Sequence, residues 1–264
     1  MKPQVATLLK VKTEAENVLS FKFKYPGLKS QPGQFVMIWL PGIDQKPFSI
    51  AGDDGKTFTV AVFKIKTFTA ALFNLKVGDK VGVAGPFGKP YTWKPRQYVI
   101  AVGGGYGSAP LANLIQQAQL DKCSCELLIG ARTSKLLLYP KRFPKTFIAT
   151  DDGSLGHHGY VTQVLERRLQ ALSSAQRCKT TVYVCGPEVM EYAAATIAQR
   201  YHVACQISLE RYMKCGFGVC GQCCIDDTGE RMCVEGPVLS GERALKLAEF
   251  GKYHRDKSGK IIHY

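Results

Sequence analysis

Four cysteines near the end of the chain constrain it most. Cys215-x4-Cys220-x2-Cys223 is followed by a later Cys233. This is the spacing with which a chain wraps a [2Fe–2S] cluster: three thiolates converge from one tight loop and a fourth arrives separately. Gly216, Gly218 and Gly221 allow the backbone to bend around such a group and turn N–H groups toward it. The fourth sulfur would come in after the turn Asp226-Asp227-Thr228-Gly229. Zinc is the competing reading, but structural zinc is usually held by two separated C-x2-4-C pairs. Here the last cysteine stands alone. Cys224 is an alternative to its neighbour, though the x2 spacing selects Cys223. The remaining cysteines, Cys123, Cys125, Cys178, Cys185 and Cys205, have no metal-type partner spacing.

The rest of the chain divides by pattern. Short β-branched and aromatic runs from Val5 to Lys12, Val18 to Tyr25, Gln34 to Leu40, Phe58 to Lys64 and Lys80 to Ala84 alternate with Pro-Gly and Asp-Gly turns. They predict a small antiparallel barrel interrupted by one helix from Thr69 to Leu75. From Gln97 the pattern changes to alternating buried-type strands and helices, the signature of a doubly wound parallel sheet. Tyr98 to Val102 is the first strand, and Leu111 to Leu120, Val161 to Leu172 and Glu188 to Arg200 are the helix candidates. The expected units are residues 1–96, a barrel; 97–204, an α/β nucleotide domain; and 205–264, a small cysteine-bearing subdomain with a tail.

The net charge of +14 suggests an anionic partner or cofactor, and its placement discriminates. The first 150 residues carry 21 basic and 8 acidic side chains; the remaining 114 carry 14 and 13. No Lys/Arg block of nucleic-acid type occurs, and no segment has the ~20 apolar residues of a membrane helix. Neither nucleic acid nor a membrane is expected, and with no apolar leader at Met1 to Val5 the expected location is the cytoplasm. In a reducing compartment ten cysteines point to metal or redox chemistry rather than disulfides.

Three further segments carry chemistry. Gly103-Gly104-Gly105-Tyr106-Gly107 follows a strand and precedes a helix, where backbone N–H groups can meet a diphosphate; it equally suits a plain tight turn. Cys185-Gly186-Pro187 ends a later strand at the side of the sheet where ligands bind, and a small buried residue would also explain Cys185. Lys46-Pro47-Phe48-Ser49 offers a cation and a hydroxyl in one strand of the basic half.

Taken in order, barrel, Gly-rich α/β domain and C-x4-C-x2-C…C loop, the chain resembles the ferredoxin-reductase superfamily. More narrowly it resembles the electron-transfer subunits of class 1B dihydroorotate dehydrogenases. Lys46-Pro47-Phe48-Ser49-Ile50, Leu75-Lys76-Val77-Gly78-Asp79, Gly85-Pro86-Phe87-Gly88, Gly103 to Leu111, Cys185 to Glu188, Ser208 to Gly216 and Glu235-Gly236-Pro237-Val238 carry the resemblance. It implies an FAD between barrel and nucleotide domain, held by Lys46, Pro47, Phe48, Ser49, Val62, Phe63, Lys64, Phe68 and Thr69, with Ser49 near the reactive edge of the ring. It implies an exchangeable NAD(H) at Gly103, Gly104, Gly105, Gly107, Cys185, Gly186 and Pro187, with Cys185 near the nicotinamide. It implies cluster ligation by Cys215, Cys220, Cys223 and Cys233, and no acid or base. The implied partner is an FMN-containing dihydroorotate dehydrogenase catalytic subunit, in a heterotetramer of two of each, serving UMP synthesis. Two positions depart from the family: Lys46 replaces an Arg, and Lys66-Thr67-Phe68-Thr69 replaces a Gly-x-Gly-Thr loop. The alternative is the flavin subunit of an NAD(P)H–ferredoxin or sulfite/sulfur reductase. A colourless zinc module that binds nucleic acid is the non-enzyme alternative.

Overall fold

The computed structural model describes residues 2–264. Its first half is a closed barrel of β1 (Gln4–Ala15), β2 (Val18–Lys24), β3 (Phe35–Leu40), β4 (Asp44–Asp53), β5 (Thr57–Phe63), helix α1 (Thr67–Phe73) and β6 (Lys80–Phe87). The strand order is β1-β2-β5-β4-β3-β6, all antiparallel. The period-2 pattern drives closure: in β5, Phe58, Val60 and Val62 are buried and the residues between them are partly exposed. These inward side chains join Phe21, Phe23, Val36, Ile38 and Ile50 in one core. Pro47, which cannot donate to a ladder, lies in β4 opposite Met37, before the pairing with β5 begins at Ile50. Helix α1 starts two residues earlier than expected because the Thr69 hydroxyl accepts the backbone N–H groups of Ile65 and Lys66 at its start.

The second half is a seven-stranded sheet. Its elements are β7 (Tyr98–Gly104), α2 (Ser108–Leu120), β8 (Ser124–Ala131), β9 (Thr146–Thr150), β10 (His157–His158), α3 (Val161–Ala171), α4 (Ser174–Arg177), β11 (Thr180–Cys185), α5 (Glu188–Arg200), β12 (Ala204–Ser208), β13 (Val238–Ser240) and α6 (Gly241–Leu245). The order is β10-β9-β8-β7-β11-β12-β13, parallel up to β12, with β13 returning antiparallel. Val99 to Val102 are fully buried, as a strand covered on both faces requires. A hairpin, β14 (Tyr253–Arg255) and β15 (Ile261–His263), closes the chain. Among the described residues no helix is long and apolar enough to cross a membrane.

Two expectations change. The division at 204/205 cuts through β12, whose residues Ala204 to Ile207 pair with Thr181 to Val184. The cysteine segment is therefore an excursion between two neighbouring strands of the sheet, β12 and β13. Its Met213, Cys223, Ile225, Met232 and Cys233 share a core with Ile100, Val102, Val182 and Val184. The glycine-rich run also differs from a free loop. Gly103 and Gly104 are the last residues of β7, since β8 and β11 pair with the backbone on either side. The loop is only the single 3-10 turn Gly105–Gly107.

Barrel and sheet meet through small side chains. Val18 and Ala51 of the barrel pack on Ala109, Ala112, Leu138 and Tyr139 of the nucleotide half. Helix α2 is consequently buried along most of its length.

Candidate functional site

The cysteine excursion is built on left-handed glycines: Gly216, Gly218 and Gly221 have φ of +84°, +86° and +68°. Space demands glycine too. A Cβ on Gly216 would lie 2.6 Å from Met37 Cγ, and one on Gly218 would lie 2.7 Å from Val234 Cγ2. The loop is thus pressed onto the barrel, with Phe217 facing Phe87 at 6.3 Å between ring centroids. Arg231 fastens it from the other side, donating to the Gly218 carbonyl at 3.0 Å and to Glu235 at 2.8 Å.

The four sulfurs stand in two pairs. Partial burial raises the Cys215 thiol, but backbone N–H groups of Cys220, Phe217 and Val219 and the Cys220 side chain outweigh it and bring it down to about 6. Cys233 is pushed up to about 12, first by burial and then by the hydrogen bond it shares with Cys223. Among the described residues no three Cys, His, Asp or Glu side chains close to single-ion distance. A lone tetrahedral ion needs four ligands around one point, whereas a two-iron cluster takes two thiolates on each iron. Pairs Cys215/Cys220 and Cys223/Cys233, with backbone N–H donors at Cys215 and one from Gly218 at Cys233, fit the latter. Cys224 belongs to neither pair; its backbone bridges to Arg231 instead.

The barrel strand expected at the flavin approaches this loop. Lys46 Nζ donates to Asp44 at 2.6 Å and to the Tyr212 hydroxyl at 3.1 Å, and lies 4.8 Å from the centre of the Tyr212 ring. Tyr212 is three residues before Cys215. Lys46, Pro47, Phe48 and Ser49 are all partly exposed, so the strand presents an uncovered stretch. Phe48 stacks on Phe68 at 6.0 Å, and Lys64 lies over the Phe73 ring at 5.7 Å. The Val62 side chain is inside the barrel core, 1% exposed, so it can offer only its backbone. The Thr69 hydroxyl is engaged, accepting the N–H groups of Ile65 and Lys66 at 2.9 and 3.1 Å. The turn that replaces the family's glycines needs none, because Lys66 has an ordinary extended φ of −141°.

The two strand ends expected at NAD are packed face to face. Cys185 pairs in register with Gly103. A Cβ on Gly104 would meet Pro187 Cδ at 2.6 Å, and one on Gly107 would meet the Cys185 carbonyl oxygen at 2.5 Å. Cys185 is half-buried, and burial pushes its thiol well above the ordinary range. Beneath this joint lies a residue the sequence did not single out. Glu191, fully buried, accepts the Gly186 N–H on Oε1 at 3.1 Å, and its Oε2 has no protein partner. Burial raises its carboxyl far above the usual range. The Ser108 hydroxyl beside Gly103 is buried without a partner as well. Both are polar atoms left for a ligand or water at the crevice.

Other contributors were also missed. Tyr106 stacks on Phe63 at 5.9 Å and reaches Glu210. Arg211 is buried between Glu188 and Glu249. These contacts join residues far apart in sequence, and no spacing rule signals them. A cavity of ≈630 Å³ lies elsewhere, between Lys12, Gly52, Thr59 and Tyr139 to Arg142, and contains none of the expected site residues.

Comparison with known proteins matches this arrangement. The family model of the iron–sulfur cluster binding domain of dihydroorotate dehydrogenase B covers residues 210–244, and that of the oxidoreductase NAD-binding domain covers 101–196. The probable dihydroorotate dehydrogenase B (NAD(+)) electron transfer subunit of Methanocaldococcus jannaschii is 39% identical over 266 residues, 100% of this chain and 99% of that protein. Its counterpart in Pyrococcus abyssi is 40% identical over 250 residues, 94% of this chain and 93% of that protein. Among solved structures, an NADH-dependent reduced ferredoxin–NADP oxidoreductase superposes with a TM-score of 0.81 at 27% identity, covering 90% of this chain and 89% of that one.

Proposed function

Since the chain belongs to the family of dihydroorotate dehydrogenase B electron transfer subunits, we propose that it carries electrons between the FMN of a dihydroorotate dehydrogenase catalytic subunit and NAD, by way of a [2Fe–2S] cluster and FAD. A flavin is the required intermediary because it exchanges two electrons with a nicotinamide and single electrons with a cluster. Everything else is placement by the protein, and no residue acts as a strong acid or base.

Cys215, Cys220, Cys223 and Cys233 are the residues that would hold the cluster. The exposed stretch from Lys46 to Ser49 receives the flavin, with Phe63, Lys64 and the backbone of Val62 beside it. Lys46 is already shared with Asp44 and Tyr212, so its charge is only partly available to a phosphate, and it also ties the flavin strand to the segment that leads into the cluster. Gly103 to Gly107 and Cys185 to Pro187 form the floor for NAD. The protein works in the cytoplasm as part of a heterotetramer with two catalytic subunits, in UMP synthesis.

The observation that carries this reading is the cysteine excursion. It presents two thiol pairs, with backbone N–H donors at Cys215 and Cys233, and is pressed onto the barrel at Met37 and Phe87. The ferredoxin-reductase alternative is met by one solved structure at 27% identity, whereas the near-full-length relatives at 39% and 40% identity are probable dihydroorotate dehydrogenase subunits, and these weigh more. The test is anaerobic co-expression with an FMN-containing catalytic partner, then analysis of the purified complex. FAD and iron–sulfide absorption, two copies of each chain by mass, and bleaching of both bands by dihydroorotate are expected. A colourless chain that ignores the partner refutes the proposal.

A further inference from the structure

Tyr106 links all three parts of the molecule. It sits in the 3-10 turn at the end of β7, yet its ring stacks on Phe63 at the end of the barrel strand β5, 5.9 Å between centroids and 16° from parallel. Its hydroxyl reaches Glu210 Oε2 at 3.2 Å, at the entry to the cysteine excursion. The ring thus lies across the crevice between the barrel and the ends of β7 and β11, with one face on the barrel and 40% of its surface open.

The backbone on either side of Tyr106 is unequal. Gly107 is locked, since a Cβ there would strike the Cys185 carbonyl. Gly105 is free: its φ is +53°, and a Cβ there would meet nothing within 4 Å. A residue carried between an open left-handed glycine and an anchored one can swing about the first while the strand ends stay packed. The hydrogen bond to Glu210 opposes that swing.

We infer that Tyr106 is a positioning residue that covers the nicotinamide approach to the flavin, latched shut by Glu210, and that NAD enters by displacing this latch. The inference rests on the flavin and nicotinamide reading above. In the latched state the ring obstructs the crevice, so the measured affinity for NAD is the intrinsic affinity reduced by the fraction of molecules unlatched. Removing the latch while keeping the ring therefore strengthens NAD binding. A purely structural contact would lower stability instead and leave the affinity alone.

The test uses the full-length, oxidised protein loaded with FAD and cluster, titrated with NAD+ by calorimetry, where no turnover occurs. Tyr106→Phe keeps the stack and loses the bond to Glu210; its Kd for NAD+ falls roughly 3- to 10-fold, the effect of one hydrogen bond at a partly exposed site. Glu210→Ala gives the same fall, Glu210→Gln, which still accepts the bond, stays near wild type, and the double variant Tyr106→Phe/Glu210→Ala adds nothing further. Tyr106→Ala, which also loses the stack on Phe63, admits iodide to the flavin and quenches its fluorescence faster. An unchanged or weaker affinity in Tyr106→Phe overturns the latch, as does additivity in the double variant. Absence of NAD+ binding in wild type and variants alike overturns the nicotinamide reading itself, and the latch with it.

Discussion

Replacing Arg211 by methionine should weaken the fold more than any surface change. The guanidinium is 4% exposed and sits between Glu188 and Glu249, whose side chains are 4% and 3% exposed. Nε donates to Glu249 Oε1 at 2.7 Å, Nη1 and Nη2 bind the two oxygens of Glu188, and Nη1 also donates to the Glu210 carbonyl at 2.7 Å. Methionine fills much the same volume but abandons two buried carboxylates to each other. Taking one member from a buried pair costs about 3–5 kcal/mol. For a chain of this size each kcal/mol is worth roughly 2–4 °C, so Tm should fall by about 10 °C. The triad carries one positive and two negative charges, so its surplus is negative. Glu249→Gln keeps one acceptor oxygen, enough for either the Arg211 Nε or the Asp226 N–H but not both, so it should cost less than Arg211→Met without being neutral. The triple variant Arg211→Met/Glu188→Gln/Glu249→Gln should recover much of the loss, since Glu188 also holds the Gly251 N–H and the Tyr264 hydroxyl, which Gln can keep in part. Urea unfolding with a common slope measures each difference. If Arg211→Met unfolds within 1 kcal/mol of wild type, the desolvation reasoning is wrong.

Three other outcomes follow from the geometry. The Glu191 carboxyl is raised by burial, so its stabilising protonated form is complete below the unfolded pKa of about 4.3 and is lost as pH rises toward the folded value. Glu191→Gln, which keeps an acceptor for the Gly186 N–H, should match wild type near pH 4 and melt higher at pH 8 in paired thermal scans. Cys223→Ser should remove the iron–sulfide absorption, while Cys224→Ser leaves it, as read from spectra and iron content. Gly216→Ala should destabilise by roughly 2–4 kcal/mol, from a left-handed alanine and its clash with Met37, with loss of iron on dialysis against chelator.

Much of the frame was readable because the signals were local. Helix α5 runs from Glu188 to Arg200 as expected, opened by Pro187 and ended where Tyr201 and His202 leave the helix. The run from Tyr98 to Val102 is apolar at every position after the first, and so it is a central strand. Where pairing is non-local, the pattern was silent. Strand β12 reads Ala-Cys-Gln-Ile-Ser, neither continuous nor alternating, and only β11 and β13 on either side make it a strand. The glycines at 103 and 104 suit a loop by sequence alone, because their role as the end of a strand depends on β8 and β11. At the site, types and spacing pointed to the cysteines, but Tyr106–Glu210 and Lys46–Tyr212 are contacts across 104 and 166 residues, which no local rule contains.

The return of the chain at β13 has a thermodynamic consequence. Because the excursion leaves and re-enters the same sheet, and Cys223 and Cys233 share the core beneath it, iron occupancy and the folding of the nucleotide half draw on one free energy. A cluster held there would act as a folding ligand for the strands that carry Gly103 to Gly107 and Cys185 to Pro187, so its loss would lower their cooperativity.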